Sequence, residues 1–465
     1  MPVRNSWRDL WRLAWPMVGA MFLQFLVGLA DVYVAGRFGP AAQGAVGFCA
    51  TVLFFFNVVG NALGVGLVAV IARSEGAGSA TASAHASRQG LLLAGAAMAP
   101  LSLLGMLASP GPQALAFLPP EVAIWTAELL PWYAAAAFPQ AVLVTAAALF
   151  RARGLPLWML GAAAVVTALN VPGNFALAFG LGGLPALGPL GIAAATGASL
   201  LAGAAFSLAG LSSHGILRGS WRPDLGLARR LAQLAWPAGL LQVGWHLGTL
   251  ALYAILGRLG ASAVTATAAL TNGLRIEAVL YLPAFALNMA AGVLVGQALG
   301  AGRPEEAARA GWRTAGAGAT VLTALALPVF LWSRELAGLI TPDPAVREAT
   351  HLYLRCNMVS QPFMALSVCL GGGLQGAGDT RGTMAVVLGA LWVLRIPLAA
   401  LLALATPLGA LGVWAAMVTS QTVQGVWMAR RFRRGAWRGG ATGRAVVTSQ
   451  TQSTAGMGVG SSRER

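Results

Sequence analysis

Four polar side chains stand in stretches that otherwise read as membrane-embedded: Asp31, Asn170, Asn174 and Thr196. Asp31 closes an uncharged run from Leu13 to Ala30. At 1.5 Å rise per residue, ~20 apolar residues cross ~30 Å of hydrocarbon as a helix. A carboxylate inside such a helix costs at least ~2.5–3.5 kcal/mol near the bilayer centre, so by default it marks function. Asn170 and Asn174 are four residues apart and share a helix face. By helical rise, Asp31 sits ~27 Å above the inner end of its helix, and Asn170 and Asn174 ~20 and ~26 Å above theirs. Thr196 lies ~10 Å below the outer end of its own helix. All four therefore fall in the outer half of the membrane. An acid, two amide oxygens and a hydroxyl at one depth suit a hard cation or a proton-linked hydrogen-bond network. Each alone would serve equally as a helix–helix hydrogen bond; the shared depth sets the group apart.

Other polar groups are fewer and more scattered. Gln24 precedes Asp31 by seven residues on the same face and can reach the same cavity. Arg275 and Glu277 interrupt the eighth span and point in different directions, which excludes a simple mutual pair. Glu277 is a candidate second functional acid, with Arg395 as its counter-charge or as a donor to a backbone carbonyl. His246 and His351 do not group with other ligands, and Cys49, Cys356 and Cys369 lie in apolar surroundings without paired spacing, so no metal site is expected. Catalysis would need clustered Asp, Glu or His near one interface, and only isolated acids occur. No phosphate-binding GxxxxGK[ST] loop is present, which argues against ATP coupling within this chain. Neither an enzyme nor a resident cofactor is expected.

The elements that must position these groups are long apolar segments. Of 465 residues, 57% are hydrophobic and only 9% charged, with a mean hydropathy of +0.71. The segments are too many and too long for one soluble core, and they lack the alternation of barrel strands. An all-α polytopic membrane protein of twelve helices follows, at about 13–37, 44–72, 90–108, 125–150, 157–180, 190–211, 231–256, 264–299, 312–332, 349–376, 384–405 and 409–429.

The net charge of +16 comes entirely from arginine, and its distribution rejects a nucleic-acid face. With the N-terminus inside, 23 arginines collect on the inner side, while the outer loops hold only Arg37, Arg258, Arg334 and Arg347. Both termini are thus expected in the cytoplasm of a multi-pass inner-membrane protein. A monomer in contact with membrane lipid is expected, without a nucleic-acid partner.

An internal repeat organises the spans. LAWP at 13–16 returns at 234–237, and GRFG at 36–39 returns as GRLG at 257–260, so one constant offset relates both pairs. Six helices per copy give two parallel lobes, 1–217 and 218–434, with a substrate path expected at their interface. Asp31 falls opposite Leu252, so the acid belongs to the first lobe alone. Residues 435–465 turn to Gly, Ser, Thr, Gln and Arg and are expected to form a disordered cytoplasmic tail, and the basic run leading into it, Arg430–Arg434, is expected to meet anionic headgroups.

Five stretches in order carry a resemblance: LAWP…LADVYVAGRFG, FRARG at 150–154, FGLGGLPALGPLGIAAATGAS at 179–199, LVGQALGAGRPEEA at 294–307 and LQGAGDTRG at 374–382. Together they resemble the multidrug and toxic compound extrusion (MATE) transporters over about residues 10–430, closest to the DinF-like branch. That resemblance implies a V-shaped pair of six-helix lobes. It also implies export of amphipathic, often cationic compounds against inward H⁺ or Na⁺. In that family an acid on helix one works with Asn and Asp on helix five and Thr on helix six, positions matched by Asp31, Asn170, Asn174 and Thr196. Pro16 matches the family's helix-one bend. The helix-five acid of many relatives is Asn174 here, and the acids that the NorM-like branch carries on helices seven and ten are absent, Trp245 standing near the position of the first. One carboxylate fewer weakens a hard-cation cage, so H⁺ coupling through Asp31 is favoured over Na⁺. Two other readings share the architecture: a lipid-linked precursor flippase, which would need basic residues in the cavity, and a narrow-substrate metabolite exporter.

Overall fold

The structure, a computed structural model, describes residues 6–108 and 111–439. Its described residues are helical, with no strand. The first lobe holds α1 (Trp7–Gly36), α2 (Pro40–Gly76), α3 (Ala80–Leu107), α4 (Pro120–Ala152), α5 (Pro156–Phe179) and α6 (Pro189–Ser213). The second holds α7 (Leu225–Leu256), α8 (Ala263–Gly300), α9 (Pro304–Leu331), the short α10 (Ser333–Ile340), α11 (Pro344–Met358), α12 (Gln361–Gly376), α13 (Thr380–Leu388), α14 (Ile396–Leu404) and α15 (Ala410–Arg434).

Local chemistry explains the boundaries. Ser6 and Asp9 close a capping box at the start of α1. Proline opens α2, α4, α5, α6 and α9, where a missing N–H removes no helical bond. Gly180, at φ 74°, ends α5 in the left-handed region that other residues adopt at a cost.

Ten helical stretches among the described residues are long and apolar enough to span by length and composition. Two further crossings complete the twelve. One is α15, whose last turn carries Arg431, Arg433 and Arg434. The other is the expected tenth helix, which is divided into α11 and α12 at Val359–Ser360. Pro362, in the first turn of α12, lacks the N–H that would continue the ladder. The eleventh crossing is continuous but passes through a π-helical stretch, Gly389–Arg395, between α13 and α14.

Within the first lobe α2 packs on α4, α4 on α6 and α3, and α5 on α6 and α1; in the second α8 packs on α9, α11 and α12, and α15 on α12 and α14. Leucines such as Leu107 and Leu250 lie open on the outside, as lipid-facing surfaces require. The lobes meet through α2 against α7 and α8, and α1 against α8. The tightest approach is at the arginine-rich ends of α2 and α8. A Cβ on Gly76 would stand 2.0 Å from the Gln297 carbonyl oxygen, and one on Gly300 2.0 Å from that of Arg73. Gln297 also donates to the Ala152 carbonyl at 3.2 Å, and Arg73 to that of Ala377 at 3.2 Å. The linker between lobes is held by α3, where the buried Arg88 guanidinium donates to the carbonyls of Ile216, Arg218 and Ser220.

The expected tail begins later than residue 435. Ala436–Gly439 form a 3-10 turn, and Trp437 is buried against Phe432, with ring centroids 4.7 Å apart. An aromatic ring at that position has apolar surface to bury, so the chain turns back onto α15. Residues 440–465 lie outside the described chain.

Candidate functional site

Packing of α1 on α5, and of α5 on α6, brings the four outer-half polar groups into one hydrogen-bonded chain. Asn174 Nδ2 donates to Asp31 Oδ1 at 2.6 Å and to Asn170 Oδ1 at 3.1 Å, and Asn170 Nδ2 donates to Thr196 Oγ1 at 3.3 Å. Both asparagines are fully buried, while Asp31 retains partial exposure. Asn174 Oδ1 is buried and lacks a hydrogen-bond partner. An orphaned acceptor beside a carboxylate is a place for a proton or a cation, since leaving it unmet costs about 1–3 kcal/mol.

One residue of this site escapes a search for charged and amide groups. Tyr133 of α4 is buried among the same helices, its hydroxyl without a geometrically satisfied bond and with Asp31 and Thr196 as polar neighbours. A lone tyrosine in an apolar span reads as packing, and only the fold turns it toward the acid.

Pro16 lies within α1, whose helical path is unbroken from Trp7 to Gly36. Its missing N–H leaves the Arg12 carbonyl without its helical donor, so the α1 ladder is weakest there. Gln24 is exposed and, among the described residues, makes no recorded bond to the Asp31 chain.

The second lobe has its own polar pocket, with room of about 20 Å³, enough for one water. Leu252, Arg395 and Met417 line it. The repeat offset that carries Leu13 to Leu234 also carries Asp31 to Leu252, Asn174 to Arg395 and Thr196 to Met417, so the pocket is the repeat-related copy of the first site. Its acid enters from elsewhere. Glu277 on α8, 2% exposed, accepts from the Tyr281 hydroxyl at 3.0 Å and faces Arg395 and Tyr353. Glu277 and Arg395 are not in ion-pair contact; Arg395 Nε donates to Ser420 Oγ at 2.7 Å, from the end of the π-helical stretch. Arg275 is exposed and stands apart. A polar seam between α12 and α15 was also invisible in the sequence: Gln424 donates to Ser367 at 2.8 Å, and Ser360 donates to Gln421.

The fold and both sites can be set beside known proteins. The MatE family profile matches residues 16–176 and again 237–401. The two matches begin at Pro16 and at Pro237, the proline that the internal repeat places opposite it. A protein of Bradyrhizobium diazoefficiens described as "Probable multidrug resistance protein NorM" is 31% identical over 443 residues, 91% of this chain and 92% of that protein. "Multidrug resistance protein PmpM" of Pseudomonas aeruginosa is 29% identical over 456 residues, 94% of this chain and 93% of the relative. Among solved structures, "Outward-facing conformation of a multidrug resistance MATE family transporter of the MOP superfamily" superposes with a TM-score of 0.84 at 20% identity, over 92% of this chain and 96% of the other. The "MATE transporter VcmN in the bent form" of Vibrio cholerae gives 0.83 at 20% identity, over 93% of this chain and 98% of the other. These relatives bear the names NorM and PmpM rather than that of the DinF-like branch.

Proposed function

The chain belongs to the MATE family of membrane transporters, and from that membership and its site we propose that it exports amphipathic, cationic organic compounds, drugs and toxins among them, in exchange for H⁺ rather than Na⁺. The observation that carries the proposal is the hydrogen-bonded chain from Asp31 through Asn174 and Asn170 to Thr196, with Asn174 Oδ1 left open beside the carboxylate. The relatives named for multidrug resistance support the drug-efflux part of the reading. The arginine distribution supports an inner-membrane protein with both termini in the cytoplasm.

In the working cycle, ionised Asp31 accepts from Asn174 Nδ2 and offers its charge to a cationic substrate. A proton arriving on Asp31 turns the carboxyl into a donor. The Asn174 amide then rotates to present Oδ1, and the change passes through Asn170 to Thr196. Helices α1, α5 and α6 are thereby re-registered against one another, and α1 yields where its ladder is weakest, at Pro16. Substrate loses its counter-charge in the same step. The driving force is adequate, since one charge moved across 100 mV is worth ~2.3 kcal/mol.

The site disfavours a lipid-linked precursor flippase, because the buried arginine of the second lobe, Arg395, is faced by Glu277 rather than free for a pyrophosphate. The experiment is ethidium efflux from inverted vesicles with ΔpH and Na⁺ varied separately, for the wild type and Asp31→Asn. Efflux that follows ΔpH, ignores Na⁺ and is lost in the variant is expected. Unchanged efflux by Asp31→Asn refutes the role of Asp31, and no ethidium efflux under any gradient turns the reading to a narrow-substrate exporter or flippase.

A further inference from the structure

A groove of about 610 Å³ opens at the arginine-rich end of α15, far in sequence from the Asp31 chain. Its floor is the face of α15 carrying Val423, Val426 and Trp427, and Arg430 and Arg434 continue the same face one and two turns on. Trp427 is 44% exposed. The other charges at the groove are already committed. Arg431 holds Asp379 with two bonds, 2.8 Å from Nε to Oδ2 and 2.9 Å from Nη2 to Oδ1, and Asp379 also caps α13 by accepting from Gly382 N at 3.1 Å. Arg438, past the rim, donates to Glu305 at 2.7 Å. Among the described residues no carboxylate lies within ion-pair distance of Arg430 or Arg434.

The wall is built rather than incidental. Trp437 is buried, stacks on Phe432 and donates its indole N–H to the Phe432 carbonyl at 2.8 Å. Phe432 in turn fills the space against Gly311 of α9, where a Cβ would stand 2.2 Å from its ring. The groove therefore has a fixed shape, an apolar floor running into the bilayer and two uncommitted guanidinium groups where the helix leaves it.

We propose that this groove binds the phosphate headgroup of an anionic phospholipid, gripped by Arg430 and Arg434, with acyl chain laid along Val423, Val426 and Trp427. Guanidinium groups suit phosphate because their paired N–H donors match its oxygens, and a Trp–Arg boundary is where headgroups sit. A free phosphate ion would satisfy the arginines but leave the apolar floor open, so lipid is the occupant that uses the whole groove.

The test is native mass spectrometry of the full-length protein exchanged into detergent with phosphatidylglycerol or phosphatidylcholine. One phosphatidylglycerol retained per chain, at least tenfold over phosphatidylcholine and undisturbed by millimolar inorganic phosphate, is the expected result. Arg430→Gln/Arg434→Gln abolishes that retention, and so does Val426→Trp, which fills the groove without altering charge. Arg433→Gln/Arg222→Gln, which removes the same charge outside the groove, leaves it intact. Equal loss in that control pair, equal retention of phosphatidylcholine, retention unaffected by Val426→Trp, or displacement by inorganic phosphate each overturns the proposal. Melting curves of the variants separate loss of the site from loss of the fold.

Discussion

Asn174 donates its amide hydrogen to the Asp31 carboxylate across 2.6 Å, while the oxygen of the same amide is buried without a partner. One side chain is thus both satisfied and unsatisfied, on the two sides that a proton transfer would exchange.

Replacing that amide by an acid, Asn174→Asp, puts two carboxyl groups in hydrogen-bond contact. Two like charges so close share a proton or recruit a cation, and charge count sets much of the affinity for hard cations. The variant is expected to make efflux Na⁺-stimulated, with an apparent Na⁺ affinity roughly tenfold or more above the wild type. Efflux titrated with Na⁺ at zero ΔpH reads this directly, and indifference to Na⁺ would count against a cation cage here.

Tyr133→Phe removes a buried hydroxyl that has no satisfied bond in this state. Deleting an unmet polar group should leave stability unchanged or raise it by up to about 1 kcal/mol. Transport is expected to fall and its pH profile to move, because the hydroxyl faces Asp31 and Thr196. Unaltered efflux alongside unaltered melting would reduce Tyr133 to packing.

In the second lobe, Glu277 and Arg395 face one another without touching. Glu277→Gln leaves Arg395 with no facing charge, and Arg395→Met does the same to Glu277. The double variant is expected to lose less stability than the two single losses added together, with a coupling of about 0.5–3 kcal/mol in a double-mutant cycle. Additive melting shifts would show that the two do not sense each other.

At the lobe contact, Gly76→Leu forces a side chain into the Gln297 backbone, which a Cβ alone would approach to 2.0 Å. The arginine-rich ends of α2 and α8 then cannot close as they do here. Export should fall by more than tenfold while helical content persists, with cysteine labelling at the α2–α8 ends increased. Normal efflux from this variant would mean that the close contact is dispensable.

Outside the membrane, Asp224 caps α7 by accepting from Leu227 N at 2.9 Å and meets His85 at 3.1 Å. The backbone bond from Leu227, followed by the one from His85, holds its carboxyl below the usual range. A lowered pKa in the folded state contributes stability that is present above the ordinary carboxylate range and lost as pH falls through the folded value. Asp224→Ala should cost about 1 kcal/mol at neutral pH, the usual worth of such a cap. The difference from wild type should vanish in strong acid, and thermal melts at several pH values would reveal any constant offset instead.

Much of the site is legible without coordinates. Asp31, Asn170, Asn174 and Thr196 stand out because a polar group in hydrocarbon is costly, and their depths agree because helical rise is constant. Tyr133 does not, since a tyrosine in an apolar span is an ordinary packing residue. Gln24 shares the face of Asp31, but sharing a face does not bring a neighbour within reach. The break at Val359–Ser360 is hidden because hydropathy averages across a proline that the backbone cannot ignore.

By itself, the sequence determined the class of molecule, the helical spans, the twofold repeat and the family, because each depends on composition or on distance along the chain. Which residues meet was decided only in three dimensions. Arg395 stands opposite Asn174 in the repeat, an arithmetic fact of the chain. That it faces an acid from α8, where Asn174 faces one from α1, depends on how helices of each lobe rotate against one another. Those rotations follow from side-chain packing between segments far apart in the chain, which no local pattern encodes.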